Sequence, residues 1–127
     1  MKITNRQIIN FLNANVGNKQ LPIKLAYAIA VNIEAVKPAL EAYNKKREEL
    51  IEKYAKKDEK NKPAIENGNY IFEDIDGWNE AITELLDAEA EVTVTKVPVH
   101  VLEKCDEPGF DNLSVGDIAT INFMIGE

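Results

Sequence analysis

The fold is decided by residues 21–57, whose sequence is LPIKLAYAIAVNIEAVKPALEAYNKKREELIEKYAKK. Apolar side chains recur there at alternating steps of four and three residues, interrupted only by Arg47, at Ile29, Ile33, Val36, Leu40, Tyr43, Leu50 and Tyr54. We call this line of side chains the apolar seam. Its spacing is typical of a left-handed coiled coil, so we predict one long helix. At about 1.5 Å per residue the helix would be roughly 50 Å long, more than a compact domain of this size needs.

Pro38 lies inside the predicted helix and divides it into two halves. A proline removes one backbone hydrogen bond and crowds the preceding turn, so we expect a kink at residues 34–37. A break is less consistent with the seam, whose spacing crosses Pro38 unchanged. The first half is apolar on nearly every side at residues 25–31, which predicts burial on several sides. The second half alternates acidic and basic residues, which predicts a solvated arm with one apolar stripe.

Two further helices and a β-hairpin are predicted around the long helix. Asn5 is a suitable N-cap for a first helix of about ten residues, which ends at residues 16–18. Asn67-Gly68 fits the positive φ angles of a type I′ turn and predicts the β-hairpin. Asp74 or Asp76 would cap a second helix, which carries Trp78, Ile82, Leu85 and Leu86. We predict that this helix and the long helix form an antiparallel helical hairpin with the β-hairpin at its tip.

The last part of the chain is predicted to add one strand and one helix. Val92-Thr93-Val94-Thr95 alternates as a strand does and would lie as a third antiparallel strand beside the β-hairpin. Residues 99–105 are consistent with either a strand or a helix. Ser114 and Asp117 have the spacing of a capping box, so a last short helix should follow and close the core near the first helix.

Together these elements predict an α+β fold, mainly α-helical, in a single domain of 127 residues. Residues 1–40 and 110–127 would form its helical core. Residues 41–91 would form the arm of the helical hairpin, with the β-hairpin at the end.

The composition favours a folded protein that does not bind nucleic acid directly. Hydrophobic residues make up 45% and charged residues 29% of the chain, and the formal net charge is -7. An acidic protein is disfavoured as a partner of phosphate backbones and anionic lipids. No apolar run reaches the roughly 18 residues of a membrane span, and the N-terminal segment lacks the apolar stretch of a signal peptide. We therefore expect a cytoplasmic protein that does not bind membranes.

Charge is distributed unevenly along the arm. Residues 45–62 hold eight basic and five acidic residues, whereas residues 66–91 hold nine acidic residues and no basic one. One interpretation is that the acidic helix packs alongside the basic part of the long helix. The other is that the acidic face meets a basic partner, by imitation of nucleic acid.

The sequence contains no pattern from which we predict catalytic, cofactor-binding or metal-binding residues. His100 has no neighbour that would orient it as a base, so a structural or surface histidine is expected. Lys104 would lower the pKa of Cys105, although a packed thiol is the commoner case. Asp74-Ile75-Asp76-Gly77 is similar to the centre of a calcium loop, but the first and last ligand positions of that loop hold no carboxylate here. A helix cap explains these carboxylates better.

Five strings of the chain carry a family resemblance: Met1-Lys2-Ile3-Thr4-Asn5, Ala28-Ile29-Ala30-Val31-Asn32-Ile33, Lys53-Tyr54-Ala55-Lys56-Lys57-Asp58, Glu84-Leu85-Leu86 and Leu102-Glu103-Lys104-Cys105-Asp106. With the Asn-Gly turn and the valine-rich strand, they resemble a family of small phage and prophage proteins of unknown function from Gram-positive hosts. The resemblance covers most of the chain. It implies a viral context, in the host cytoplasm or the virion, and it contains no catalytic motif.

We expect a non-enzymatic protein that acts through protein contact, in virion assembly or as an accessory factor. The apolar seam is longer than a helix at residues 76–88 can cover, so part of it would remain for self-association or a partner protein. The predicted contact residues are Tyr43, Leu50, Tyr54 and Trp78. The alternative is an acidic inhibitor or decoy of a host defence or nucleic-acid-acting protein. A small-ligand binder or enzyme that uses residues 92–100 has the least support.

Overall fold

The computed structural model describes residues 1–126 and confirms the predicted class, an α+β fold that is mainly helical. Its elements in chain order are β1 (Lys2–Thr4), α1 (Asn5–Asn13), α2 (Ile23–Tyr54), β2 (Ile65–Glu66), β3 (Asn69–Tyr70), α3 (Ile75–Asp87), β4 (Glu89–Glu91), α4 (His100–Glu103) and α5 (Val115–Ile121). Single turns of 3-10 helix lie at Val16–Asn18, Lys104–Asp106 and Asn122–Met124.

The long helix α2 continues through Pro38 for 32 residues, so the prediction of one helix is confirmed. It begins at Ile23, and Pro22 is its N-cap residue. It ends at Tyr54 because the next residue, Ala55, is extended and forms an antiparallel bridge with Phe72. The helix is therefore shorter than residues 21–57 at both ends.

α3 lies antiparallel to α2, as predicted. Gly77 in the first turn of α3 lies so close to the end of α2 that an added Cβ would be 2.9 Å from Cε1 of Tyr54. The other end of α3 reaches α1, because the side-chain amide of Asn5 donates to the carbonyl of Leu85 (2.8 Å). α1 packs on the first half of α2. The two ends of α3 therefore face opposite ends of the long helix.

The β-hairpin between α2 and α3 is also confirmed. Ile65 pairs with Tyr70 and Glu66 pairs with Asn69. The two turn residues, Asn67 and Gly68, have φ angles of 53° and 81°. A type I′ turn requires positive φ at both central positions, which asparagine and glycine adopt at least cost.

The predicted third strand beside the β-hairpin is wrong. β4 pairs with β1 at the N-terminus, in a separate two-stranded antiparallel sheet. The valine-threonine segment after β4 forms no strand. Its backbone is held instead by the buried side chain of Asn32 in α2, which donates to the carbonyl of Thr95 (2.9 Å) and accepts from its N–H (2.8 Å). Within the alternating segment Val92 is buried and Val94 is half-buried, whereas Thr93 is exposed. Val97, just after it, forms an isolated parallel bridge with Ile125.

The buried core joins both ends of the chain to the first half of α2. Its members are Ile3, Ile8, Phe11, Val16, Leu21, Leu25, Ala28, Ile29, Val36, Val92, Val97, Val101, Cys105, Ile121, Phe123 and Met124. Four of them belong to residues 92–105, which lie outside the predicted helical core of residues 1–40 and 110–127. In residues 25–31, Leu25, Ala28 and Ile29 are buried and Ala26 and Val31 are half-buried, which agrees with burial on several sides; Tyr27, at 68% exposed, marks the side that faces solvent.

The C-terminal helix closes this core against α1, as predicted. Ser114 is the N-cap of α5, and the capping box with Asp117 is complete in both directions. Just beyond α5, the ring of Phe123 meets the ring of Phe11 edge to face, with centroids 5.1 Å apart. Residues 99–105, for which the sequence left two alternatives, are helical.

Candidate functional site

An open groove with an apolar floor lies in the arm between α2 and the β-hairpin. It is a cavity of about 640 Å³, lined by Lys45, Glu48, Glu49, Ile51, Glu52, Lys62, Pro63, Ile65 and Tyr70. Ile51 is 4% exposed and forms its floor, whereas Ile65 is 63% and Tyr70 is 39% exposed. We call this cavity the arm groove. A half-covered apolar surface with a charged rim is typical of a protein-contact site.

Ile65 and Tyr70 are exposed because the β-hairpin has only two strands. They are a directly opposed cross-strand pair, so both side chains lie on the same face of the sheet. The hairpin is held to the chain that follows α2 by backbone bonds, in which Lys56 N–H donates to the carbonyl of Ile71 and Ala64 N–H to that of Lys56, both at 2.7 Å. The pair is therefore fixed in position beside α2.

The basic residues around the arm groove are mostly free of ion pairs. Two are paired within α2 and the turn after it: Lys46 with Glu49 (3.2 Å) and Lys57 with Glu52 (2.7 Å). Within residues 1–126, no carboxylate lies within 4.0 Å of the other six, which are Lys45, Arg47, Lys53, Lys56, Lys60 and Lys62. All six are exposed.

The acidic side chains of α3 are likewise available. Four lie within α3, at Asp76, Glu80, Glu84 and Asp87, and Glu73 lies two residues before the helix. All five are exposed and recur at steps of three and four residues. Of the nine acidic residues in 66–91, the described part of the chain pairs two: Asp87 with Arg6 (3.1 Å) and Glu91 with the Met1 amino group (2.9 Å). α3 packs along α2 as expected, but no ion pair joins it to residues 45–62 in the described chain.

The four predicted contact residues are more covered than the sequence indicated. Tyr43 is buried, with 9% of its surface exposed, and Leu50, Tyr54 and Trp78 are half-buried. Trp78 stacks on Phe72 with ring centroids 4.4 Å apart, and Tyr54 lies against the start of α3. The structure thus uses these aromatic residues to attach α3 and the hairpin to α2.

The contact residues predicted from the sequence include neither Ile65 nor Tyr70. The signal that could have found them is the Asn-Gly turn. A type I′ turn sets the register of the hairpin, and in that register Ile65 and Tyr70 are opposite each other.

The groups considered for chemistry in the sequence lie at the start of α4, in the core and at the start of α3. His100 is exposed at the start of α4. Cys105 is buried, as the favoured interpretation of a packed thiol predicts. Burial, and then the negative charge of Asp106, raises the pKa of this thiol, which contradicts the alternative that Lys104 lowers it. Asp74 is the N-cap of α3 and accepts from Gly77 N–H (3.0 Å), which confirms the helix-cap interpretation. Among residues 1–126, no group of three His, Cys, Asp or Glu side chains is placed to hold a metal ion.

Comparison of the chain with protein-family models, with curated proteins and with solved structures gave no match. None of the helices in residues 1–126 has the length and apolar character needed to cross a membrane.

Proposed function

We propose that the protein is a non-enzymatic phage or prophage protein that acts through protein–protein contact, in virion assembly or as an accessory factor in the host cytoplasm. The observation that carries the proposal is the exposed pair Ile65 and Tyr70 beside the buried Ile51 in the arm groove. Apolar side chains fixed on a rigid hairpin lose little conformational entropy when a partner covers them. The viral context is supported by the sequence resemblance.

The partner that fits the arm groove best is a second copy of the chain. One arm carries six exposed, unpaired basic residues in 45–62 and an exposed acidic row on α3, and these two sets form no ion pair with each other within the described chain. In a two-fold symmetric contact the same surface is used by both copies, so the basic part of each arm can face the acidic row of the other. The apolar pair would supply affinity, and the charges would set the orientation.

Sedimentation velocity over a concentration series tests this contact. The unmodified protein should dimerise, and Ile65→Asp should weaken the dimer at least about tenfold, because it replaces an apolar contact with a charge that must be desolvated. Val115→Asp is the matched control, since Val115 is 86% exposed on α5. It should leave the dimer unchanged. A protein that stays monomeric at all concentrations, or a dimer that Ile65→Asp does not weaken, would exclude self-association through the arm groove.

A second candidate, an acidic inhibitor or decoy of a host defence or nucleic-acid-acting protein, is favoured by the exposed acidic row on α3, in which Asp76, Glu80 and Glu84 make no ion pair within residues 1–126. The variant Glu80→Gln with Glu84→Gln removes two charges from the middle of this row. Capture of a basic host protein should then fall, and it should also fall with added salt, because exposed charges are screened within about 8 Å at physiological ionic strength. Capture that depends on Ile65 and resists salt supports the contact through the arm groove instead.

A further inference from the structure

A second cavity, at the opposite end of the fold, has a different chemical character. It has a volume of about 420 Å³ and lies between β1 and α1 on one side and the C-terminal helix on the other. Its polar lining includes Lys2, Gln7, Asn10, Lys96, Thr120 and Asn122. No Asp or Glu of residues 1–126 lines it. The chain has a net charge of -7, so a cavity lined by two lysines and by no carboxylate of residues 1–126 has a charge opposite in sign to that of the whole protein.

Apart from the amino group of Met1, which is bonded to Glu91 and Val92, the side-chain nitrogen donors of this cavity have no partner among residues 1–126. Within residues 1–126, the side-chain nitrogens of Lys2, Lys96, Asn10 and Asn122 make no hydrogen bond or ion pair. The side-chain oxygen (Oε1) of Gln7 accepts from Thr4 N–H (2.8 Å), and the side-chain NH₂ group of Gln7 makes no hydrogen bond within residues 1–126. Glu91, the cross-strand neighbour of Lys2, is bonded to the amino group of Met1, which also lines the cavity. The charge of Lys2 also acts on this carboxylate and lowers its pKa, after the larger effect of the Met1 amino group. Within residues 1–126, five nitrogen groups of the cavity thus make no hydrogen bond or ion pair.

The wall that carries Lys96 is fixed before any ligand binds. On one side, Thr95 is held by the buried Asn32. On the other side, Val97 N–H donates to the carbonyl of Met124 (2.9 Å), and the carbonyl of Val97 accepts from Gly126 N–H (2.8 Å). Bonds on both sides of Lys96 keep its backbone in one place. A preformed site loses less free energy to ordering when it binds a ligand.

We propose that this cavity binds a small phosphate monoester. A phosphate monoester carries a charge of about -1.5 to -2 at pH 7 and three acceptor oxygens, so it matches two lysines and three amide groups. A ligand with a single carboxylate would neutralise the charge of only one of the two lysines. The side chains of Phe123, Ile125 and Ala119 also line the cavity and give an apolar wall for the organic part of the ligand. A volume of about 420 Å³ is within the range of small-molecule sites.

Titration followed by amide chemical shifts in NMR tests the site, with three probes: phenyl phosphate, benzoate and inorganic phosphate. Phenyl phosphate should bind saturably, with the largest shifts at residues that line the cavity. Benzoate has the same ring with a single negative charge, and should bind at least about tenfold more weakly, because one charge-assisted set of bonds is missing. Inorganic phosphate, which lacks the ring, should also bind more weakly than phenyl phosphate.

Lys96→Met should weaken phenyl phosphate at least about tenfold, since it removes one cationic donor and keeps a side chain of similar length. Lys104→Met changes an exposed lysine outside the cavity and should have no effect. If Lys96→Met does not fold, Asn122→Ala removes another free donor and should weaken binding in the same direction. Equal affinity for benzoate, unchanged affinity in these cavity variants, or no saturation up to about 10 mM phenyl phosphate would overturn the proposal.

Discussion

The side-chain amide of Asn32 makes two hydrogen bonds with the backbone of Thr95, one to its carbonyl and one from its N–H, at 2.9 and 2.8 Å. Asn32 is 1% exposed and lies in the middle of the first half of α2. The side chain of Asn32 thus supplies the hydrogen-bond partners that the backbone of a neighbouring strand would supply in a sheet. This contact ties the extended segment after β4 to the long helix.

Replacing Asn32 with alanine should lower the free energy of unfolding by about 2–4 kcal/mol, because two backbone groups lose their partners in a buried place. Urea denaturation measures this loss. Asn44→Ala is the control, because Asn44 is exposed on the same helix, and it should change stability by less than about 0.5 kcal/mol. Equal effects of the two substitutions would mean that the contact with Thr95 does not stabilise the fold.

Asn5→Ala should destabilise the protein by about 1–3 kcal/mol, since the carbonyl of Leu85 at the end of α3 would lose its donor in a partly buried place. Arg6→Ala breaks the neighbouring ion pair with Asp87, but both side chains are about half exposed or more, at 48% and 61%. Exposed pairs contribute about 0–1 kcal/mol, so this effect should be smaller. Thermal unfolding compares the two variants. A larger loss for Arg6→Ala would contradict the assignment.

Ser114→Ala should lower the free energy of unfolding by about 1 kcal/mol at neutral pH, because it removes the N-cap of α5. The hydrogen bonds of Ser114, followed by the charge of Lys19, hold the pKa of Asp117 below its ordinary value. A carboxyl whose pKa is lower in the folded than in the unfolded state stabilises the fold above its unfolded pKa of about 3.9. This contribution is lost as pH falls through the folded pKa.

The same variant should raise the pKa of Asp117 only partly, because the backbone N–H of residue 114, whose bond to the carboxylate is the largest cause of the lowering, remains in place. NMR titration of the side-chain carboxyl carbon measures this change. The stability difference between the unmodified protein and Ser114→Ala should persist below about pH 4, because the bond from Asp117 N–H to the Ser114 hydroxyl does not depend on the charge of Asp117. A return of the pKa of Asp117 to its ordinary value would contradict the role of the Ser114 backbone N–H.

Cys105 should react slowly with a thiol reagent in the folded protein. The thiol is 3% exposed, and burial raises its pKa, so both access and the thiolate fraction are reduced. The reaction with Ellman's reagent should become fast when urea unfolds the chain. Fast reaction of the folded protein, at the rate of the unfolded one, would be inconsistent with a buried structural thiol.

The local elements of this fold could be predicted because local chemistry specifies them. The seam predicted α2, Asn67-Gly68 predicted the turn, and Ser114 with Asp117 predicted the start of α5. The β1–β4 pairing could not be predicted, because each strand has only three residues and the two lie far apart in the chain. Residues 92–95 alternate valine and threonine as a strand does, but their backbone is bonded to the buried side chain of Asn32 and not to the β-hairpin.

The sequence pointed to the second half of α2 as a contact surface, but it did not identify the residues that line the arm groove. The seam indicated that the second half of α2 is a contact surface, and the arm groove lies there. The sequence did not show how closely the β-hairpin lies beside α2, and this position brings Ile65 and Tyr70 next to the floor residue Ile51. Tyr43 is buried, so it cannot offer its ring to a partner.

The most direct test of the proposed contact is an isotope-filtered NMR experiment on an equal mixture of ¹³C-labelled and unlabelled protein. It detects only contacts between copies. The proposal predicts intermolecular signals from the methyl groups of Ile65 to the ring of Tyr70 and to other residues of the arm groove. Intermolecular signals confined to a different exposed apolar surface, such as Ile23 and Tyr27, or none at millimolar concentration, would contradict it.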